Sequence, residues 1–188
     1  KEPAAAAEPP KEPAQTPENA FSLLTNADMT FPVISDENGR EVELSEERYY
    51  LLSRSRDRRV RKDAFDGLFS SYGRFRNTFA ALYSGSVKTS LFFSRARKYP
   101  STLEASLHGD NIPPEVYTSV VDTVNRNLDA LHSYMALRKK ILGLDELRMY
   151  DLNVPLADEP DDPIPYKEGV RMVTEGLAPL GHAYGQAL

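Results

Sequence analysis

The sequence predicts a mainly α-helical fold, a helical bundle with one long helix and a small β-hairpin or strand element. Two observations support this class. Apolar side chains recur at helical spacing over two long segments, 60–91 and 117–135. Between 29 and 44, and again over 149–156, apolar and polar side chains alternate instead, which is typical of strands. We therefore expect helices to form most of the core.

The composition narrows the classes of function. The chain has 188 residues, 40% of them hydrophobic, which is enough for a packed core. Its net charge of -5 argues against nucleic acid or an anionic membrane as a partner. Because it has no cysteine, it has no disulfide, thiolate metal site or cysteine nucleophile, and we expect a cytoplasmic location. No apolar run approaches the roughly 20 residues of a membrane span.

The first 18 residues have the composition of an unstructured tail. They consist of Lys, Glu, Pro, Ala, Gln and Thr, and the tetrapeptide KEPA occurs twice. Such a segment buries too little apolar surface to offset the entropy of ordering. We therefore predict a disordered, low-complexity tail over 1–18 and a helical portion over 19–188. The sequence begins with Lys1 and has no signal peptide, so we interpret it as a partial product.

The folded portion is predicted to open with a β-hairpin and to continue as helices. The hairpin strands fall at 29–34 and 40–44, joined by a turn that contains Asn38-Gly39. Three polar residues are placed to cap the helices that follow, namely Ser45, Asp57 and Ser101. The helix that begins after Asp57 would be about 60 Å long if it continued unbroken to Tyr99. Its apolar stripe runs through Val60, Ala64, Leu68, Tyr72, Phe75, Phe79, Leu82 and Leu91.

A second amphipathic helix is predicted after Pro113-Pro114, and a last helical region opens at Tyr166. The stripe of the second helix comprises Tyr117, Val120, Val121, Val124, Leu128, Leu131 and Met135. The Phe and Tyr stripe from Phe65 to Tyr83 could line a ligand groove, but its helical spacing favours core packing.

The segment LRMYDLNVPL, 147–156, is predicted to form a lone strand over 149–155. Its apolar face would be Tyr150, Leu152, Val154 and Leu156, and this face should be covered. Asp151 and Asn153 would lie on the opposite face, towards solvent or a channel. The hairpin is the expected pairing partner within this chain.

The sequence offers no catalytic or metal-binding constellation. No two of its three histidines lie three or four residues apart, and it contains no HExxH, phosphate-binding glycine loop or GxSxG. The basic run RSRDRRVRK, 54–62, could bind phosphates or an acidic peptide. Because no aromatic residues are interleaved with it, a solvated helix start is favoured, with Asp57 and Asp63 pairing locally. We therefore assign no catalytic and no metal-ligating residue.

Several blocks, taken in order, resemble one peptidase family. The blocks are ENAFSLLTNADMTFP, VRKDAFDGLFSSYGRFRNTFA, HGDNIPPEVY, LRKKILGLDELRMYDLNVPL and LAPLGHAY. They are similar to consecutive blocks of oligoendopeptidase F, which belongs with the thimet-oligopeptidase-like zinc metallopeptidases. The resemblance implies part of a largely helical, two-lobed peptidase with a deep channel for short peptides. The HExxH helix of that family lies downstream of the block that LAPLGHAY resembles, so His182 does not inherit a ligand role.

The resemblance implies a function for the complete protein and a limited one for this chain. The complete enzyme would use zinc to hydrolyse peptide bonds in short peptides, whereas this chain alone would bind no zinc and be inactive. The peptidase segment that lies downstream would be its packing partner. By the same resemblance the predicted strand would flank the channel, with Tyr150, Asp151 and Asn153 as channel-lining residues. The alternative is a non-catalytic helical module for interaction or scaffolding.

Overall fold

A computed structural model describes residues 14–157, 164–181 and 184, and these residues are mostly helical, which confirms the predicted fold class. They belong to two units, which divide between 156 and 157. Within them, no helix combines the length and the apolar character needed to cross a membrane. The elements of the first unit are α1 (Thr16–Leu23), a π turn (Leu24–Asp28), β1 (Val33–Ser35), β2 (Glu41–Glu43), α2 (Glu46–Leu52), α3 (Arg58–Arg74), α4 (Arg76–Ala96), α5 (Thr102–His108), α6 (Pro114–Arg126), α7 (Leu128–Ile141) and a 3-10 turn (Met149–Asp151).

The second unit contains one amphipathic helix and a short turn. Helix α8 spans Tyr166–Gly176 and begins after Pro165, as the sequence predicts. A 3-10 turn, Ala178–Leu180, follows it. Arg171 pairs with Glu168 and Glu175 along one side of the helix, at the three- and four-residue spacing that brings side chains together.

The first helix begins inside the segment that the sequence assigned to the tail. Helix α1 starts at Thr16, so the predicted boundary after Glu18 is wrong for 16–18. Pro17 occupies the first turn, where its missing N–H has no helical partner to lose. The helix also packs on α4, with the ring centroids of Phe21 and Phe79 5.6 Å apart. Residues 1–13 of the predicted tail lie outside the described residues.

The predicted hairpin is confirmed, with shorter strands. β1 and β2 are antiparallel, with Ile34 opposite Val42. Asp36 holds the turn, because its Oδ1 accepts hydrogen bonds from the backbone N–H of Asn38 (2.8 Å) and of Arg40 (2.9 Å). Gly39 has a φ of 77°, a conformation that glycine adopts without steric cost.

The hairpin lies against α3, and the core of the first unit forms between them. Leu44, at the end of β2, packs with Ala64 and Leu68 of α3. Gly67 permits the close approach, since a Cβ there would lie 3.0 Å from both Leu44 Cδ2 and Pro32 Cγ. A side chain at this position would force the side chains of Leu44 and Pro32 to shift.

The N-caps form as predicted. Backbone N–H groups donate to the side chains of Ser45 (3.2 Å), Asp57 (2.9 Å) and Ser101 (3.1 Å). The long helix that follows Asp57 is interrupted, however, because Phe75 leaves helical geometry at φ −105° and ψ 15°. Gly73, a poor helix former, precedes the interruption. The segment does not continue unbroken to Tyr99, and α3 and α4 are separate helices.

The two predicted apolar stripes differ in how far they are covered. In α3, the side chains of Val60, Ala64 and Leu68 are buried. In α4, Phe79 and Leu82 are partly buried and Leu91 is exposed, and in α6 Val124 retains 56% of its accessible surface. The core packing predicted for the stripe from Phe65 to Tyr83 holds in part, because Phe69 and Tyr83 are exposed, whereas the second stripe is mostly exposed. Its exposed members on α6 and α7 are Tyr117, Val120, Val121, Val124 and Leu131.

Candidate functional site

The predicted strand at 149–155 is a turn. Met149–Asp151 form a 3-10 turn, in which the backbone N–H of Asp151 donates to Arg148 O (2.9 Å). In the part of the chain that the structure describes, no strand pairs with it. The Asp151 side chain explains this, because its Oδ2 accepts from the backbone N–H of Arg148 (3.0 Å) and closes the turn on itself. A local hydrogen bond of this kind competes with ladder formation.

Asp151 is fully buried, with 0% of its surface exposed. The prediction that it faces solvent or a channel is therefore wrong. Its Oδ1 accepts from Arg58 Nε (3.1 Å) and Arg61 Nη2 (2.8 Å), and its Oδ2 also accepts from Arg58 Nη2 (2.9 Å). Together with the Arg148 N–H, these donors use the acceptor capacity of the carboxylate almost completely. Burial against paired cations is the condition under which a carboxylate is tolerated in an interior.

Arg61 also binds backbone oxygens, both in the turn and in the loop before α3. It retains 2% of its surface and donates from Nε to Tyr150 O (3.1 Å). Its Nη1 donates to Ser55 O (2.8 Å) and Arg56 O (3.1 Å), in the loop before α3. One guanidinium therefore joins the turn to the start of α3.

Arg138 reaches the same turn from α7. This residue retains 5% of its surface, and its Nε donates to Asp151 O (3.0 Å). Its Nη2 donates to Val154 O, and its Nη1 donates to the Tyr134 hydroxyl (3.2 Å). We refer to Arg58, Arg61, Arg138 and Asp151 as the arginine cluster. The cluster ties the segment 150–154 to two helices that are far apart in sequence.

The electrostatics favour the ionised form of Asp151. Burial alone would raise its pKa, but the hydrogen bonds from Arg58, Arg61 and the Arg148 N–H outweigh burial, so the pKa of Asp151 lies below its usual value. The hydrogen bond to Asp151 in turn raises the pKa of Arg58. The cluster is therefore a stable set of ions at neutral pH.

The cluster corrects the interpretation of the basic run as a solvated helix start. That interpretation holds for Arg59, which is half exposed and pairs with Asp57 and Asp63. It is wrong for Arg58 and Arg61, which bind Asp151. A signal was present in the sequence, since position 61 lies on the same helical face as the apolar positions 64 and 68. A charged residue on such a face needs a buried partner.

Two of the three predicted channel residues reach the surface. The ring of Tyr150 is half buried, packs edge-on against Phe65 with centroids 5.9 Å apart, and has the Arg58 guanidinium 5.4 Å from its centre. Asn153 is exposed, and its Nδ2 donates to Ser53 Oγ (3.2 Å). The apolar residues of the segment are covered as predicted, in that Leu152, Val154 and Leu156 are each at least partly buried.

Over 14–157 and 164–181, no three His, Asp or Glu side chains are grouped closely enough to hold a metal ion. His108 lies beside Tyr99, with ring centroids 5.2 Å apart, and His132 lies on α7. His182 lies outside the described residues. The described residues therefore do not fit a zinc ion.

Known proteins with similar sequences are peptidases. Over 170 residues the chain is 45% identical to oligopeptidase PepF of Bacillus subtilis, an alignment that covers 90% of this chain and 25% of that protein. Over 166 residues it is 41% identical to group B oligopeptidase PepB of Streptococcus agalactiae, covering 88% of this chain and 28% of that protein. The chain thus spans about a quarter of the length of these curated relatives.

The fold agrees with a solved peptidase structure. The crystal structure of oligoendopeptidase-F from Enterococcus faecium matches with a TM-score of 0.77 and 43% identity, over 94% of this chain and 33% of that one. Residues 51–177, which include the whole arginine cluster, match the model of peptidase family M3. The chain therefore belongs to peptidase family M3, a family of metallopeptidases.

Proposed function

We propose that this chain is part of a zinc-dependent oligopeptidase that hydrolyses peptide bonds in short peptides. The observation that carries the proposal is the 45% identity to oligopeptidase PepF over 90% of the chain. In such an enzyme zinc supplies a water molecule of lowered pKa and polarises the peptide carbonyl. The sequence given contains no HExxH, so the chain by itself is expected to bind no catalytic zinc and to cleave no peptide.

The role of this chain in that enzyme is to shape part of the peptide channel. Tyr150 and Asn153 are the proposed channel-lining residues, because both reach the surface on a turn that buried ions hold in place. An asparagine amide both donates and accepts hydrogen bonds, which suits a peptide backbone. Asp151 supports these two residues from the interior and does not itself line the channel.

The exposed stripe of α6 and α7 is the proposed packing surface for the rest of the peptidase. Soluble proteins rarely leave a large contiguous apolar patch open to water. The downstream peptidase segment would cover Val120, Val124 and Leu131. The region of PepF that aligns with this chain is only 25% of PepF, which leaves room for such a segment. A cytoplasmic location, with neither nucleic acid nor membrane as a partner, accompanies this proposal.

A chimera tests the proposed function. The 170-residue region of oligopeptidase PepF that aligns with this chain would be replaced by this chain, and cleavage of a quenched oligopeptide would be measured. We expect zinc-dependent, chelator-sensitive hydrolysis by the chimera and none by the isolated 188-residue chain. PepF with the same region deleted is the matched control. A folded chimera that cleaves no peptide would refute the proposal and favour the alternative of a non-catalytic interaction module.

A further inference from the structure

Three buried ionic side chains hold the turn at 150–154. Arg61 and Arg138 each retain 5% or less of their surface, and Asp151 retains none. Removing ions from water is costly, and apolar residues of similar volume often stabilise a core equally well. The stability of the fold alone therefore does not account for the arginine cluster. A better-attested use of such groups is to select one conformation among several.

The hydrogen bonds of the cluster are distributed as such a role requires. Arg61 binds Tyr150 O from α3, and Arg138 binds Asp151 O and Val154 O from α7. Three backbone oxygens of the turn are thus fixed to two different helices. Asp151 links the two helices, because its carboxylate accepts from Arg61 of α3 and its backbone oxygen accepts from Arg138 of α7.

The outer side of the turn carries groups suited to binding. The Tyr150 ring lies between Phe65 and the Arg58 guanidinium, so its position depends directly on the cluster. Asn153 lies two residues beyond Asp151 and is exposed, with its Nδ2 donating to Ser53 Oγ. A change in the conformation of the turn would move both groups together.

We propose that Asp151 is a positioning residue for peptide binding. With Arg58, Arg61 and Arg138 it fixes the turn, so that the Tyr150 ring and the Asn153 amide meet a peptide in one orientation. Asp151 acts through the turn and does not touch the peptide, because it is fully buried. The inference rests on the proposed function for its substrate, but the fixing of the turn by Asp151 stands on the geometry of this chain alone.

The first measurement is made on the 188-residue chain. Asp151→Asn preserves size and removes the charge, and amide hydrogen exchange is followed over 149–154. We expect exchange to become about tenfold faster in the turn, while the amides of Ala64 and Leu68 keep their protection. Arg58→Gln, at a more exposed position, serves if Asp151→Asn does not fold. The matched control is Asp63→Asn, which changes a surface carboxylate of α3, the helix that carries Arg58 and Arg61. This substitution should leave exchange in the turn unchanged.

The second measurement uses the PepF chimera with the same substitutions. A positioning role predicts that Asp151→Asn raises KM about tenfold and changes kcat by less than about twofold. A loss of folded enzyme would instead lower the apparent kcat and leave KM unchanged. Unaltered exchange in the turn, or an unaltered KM in an active chimera, would overturn the inference. A folded parent chimera without activity would overturn the proposed function and the link to peptide, whereas the exchange measurement still decides whether Asp151 fixes the turn.

Discussion

Helices α3 and α6 have similar apolar spacing but different surroundings. The stripe of α3 is buried against the hairpin, and its charged neighbour Arg61 is buried against the turn at 150–154. The stripe of α6 remains exposed, although the helix forms where its sequence predicts. The difference shows that periodicity determines which face of a helix is apolar, whereas burial depends on which other segments are present to cover that face.

The largest effect that would sharpen this comparison is expected at Arg61. Arg61→Ala removes a buried partner of Asp151 and leaves three backbone oxygens without their donor. We expect the free energy of unfolding to fall by about 3–5 kcal/mol, as when a buried ion pair loses one member. Urea denaturation measures this change. Lys62→Ala, one residue later and exposed, is the control and should cost less than about 1 kcal/mol. Equal effects at the two positions would mean that Arg61 is not buried in solution.

A matched pair of leucines tests the comparison directly. Leu68 of α3 retains 6% of its surface, and Leu131 of α7, which continues the apolar stripe of α6, retains 49%. Leu68→Ala should lower the free energy of unfolding by about 2–5 kcal/mol, because it leaves a cavity under the hairpin. Leu131→Ala in the same chain should change it by less than about 0.5 kcal/mol.

The same pair can be measured in the PepF chimera. If the remaining peptidase covers α6 and α7, Leu131→Ala should become clearly destabilising there, while the effect of Leu68→Ala should not change. Leu131→Ala with no effect in either protein would contradict the proposed packing surface.

The smallest expected effect is a dependence on acid. In an unfolded chain the pKa of an aspartate is about 3.9. The pKa of Asp151 is lower in the folded chain than in the unfolded one. Its contribution to stability is therefore complete above the unfolded pKa and is lost as the pH falls through the folded pKa. Between neutral pH and about pH 3, the free energy of unfolding measured with urea should fall less for Asp151→Asn than for the parent chain. An identical loss in both would show that another group is responsible.

The sequence was sufficient for the local structure and insufficient for the arginine cluster. The caps at Ser45, Asp57 and Ser101 and the Asn38-Gly39 turn each depend on neighbouring residues, so they could be predicted. Alternation at 150–156 predicted a strand because hydrophobic patterning carries no information about a carboxylate that closes its own turn.

The remaining error concerns contacts between distant segments. Arg61 and Asp151 are 90 residues apart, and the sequence around each of them does not indicate the other as its partner. The spacing of Arg61 from Ala64 and Leu68 could have indicated a buried cation. It could not have identified which of the 28 acidic residues would neutralise it.

That separation along the chain has a consequence for the order of folding. Helix α3 and the adjacent hairpin form from short-range contacts, whereas the Arg61–Asp151 pair closes a loop of 90 residues. Closing a longer loop costs more chain entropy, so contacts of this kind tend to form late on the folding path. Interactions that are absent from the transition state act mainly on the unfolding rate. The cluster is thus expected to determine how long the assembled chain survives, with little influence on how fast it assembles.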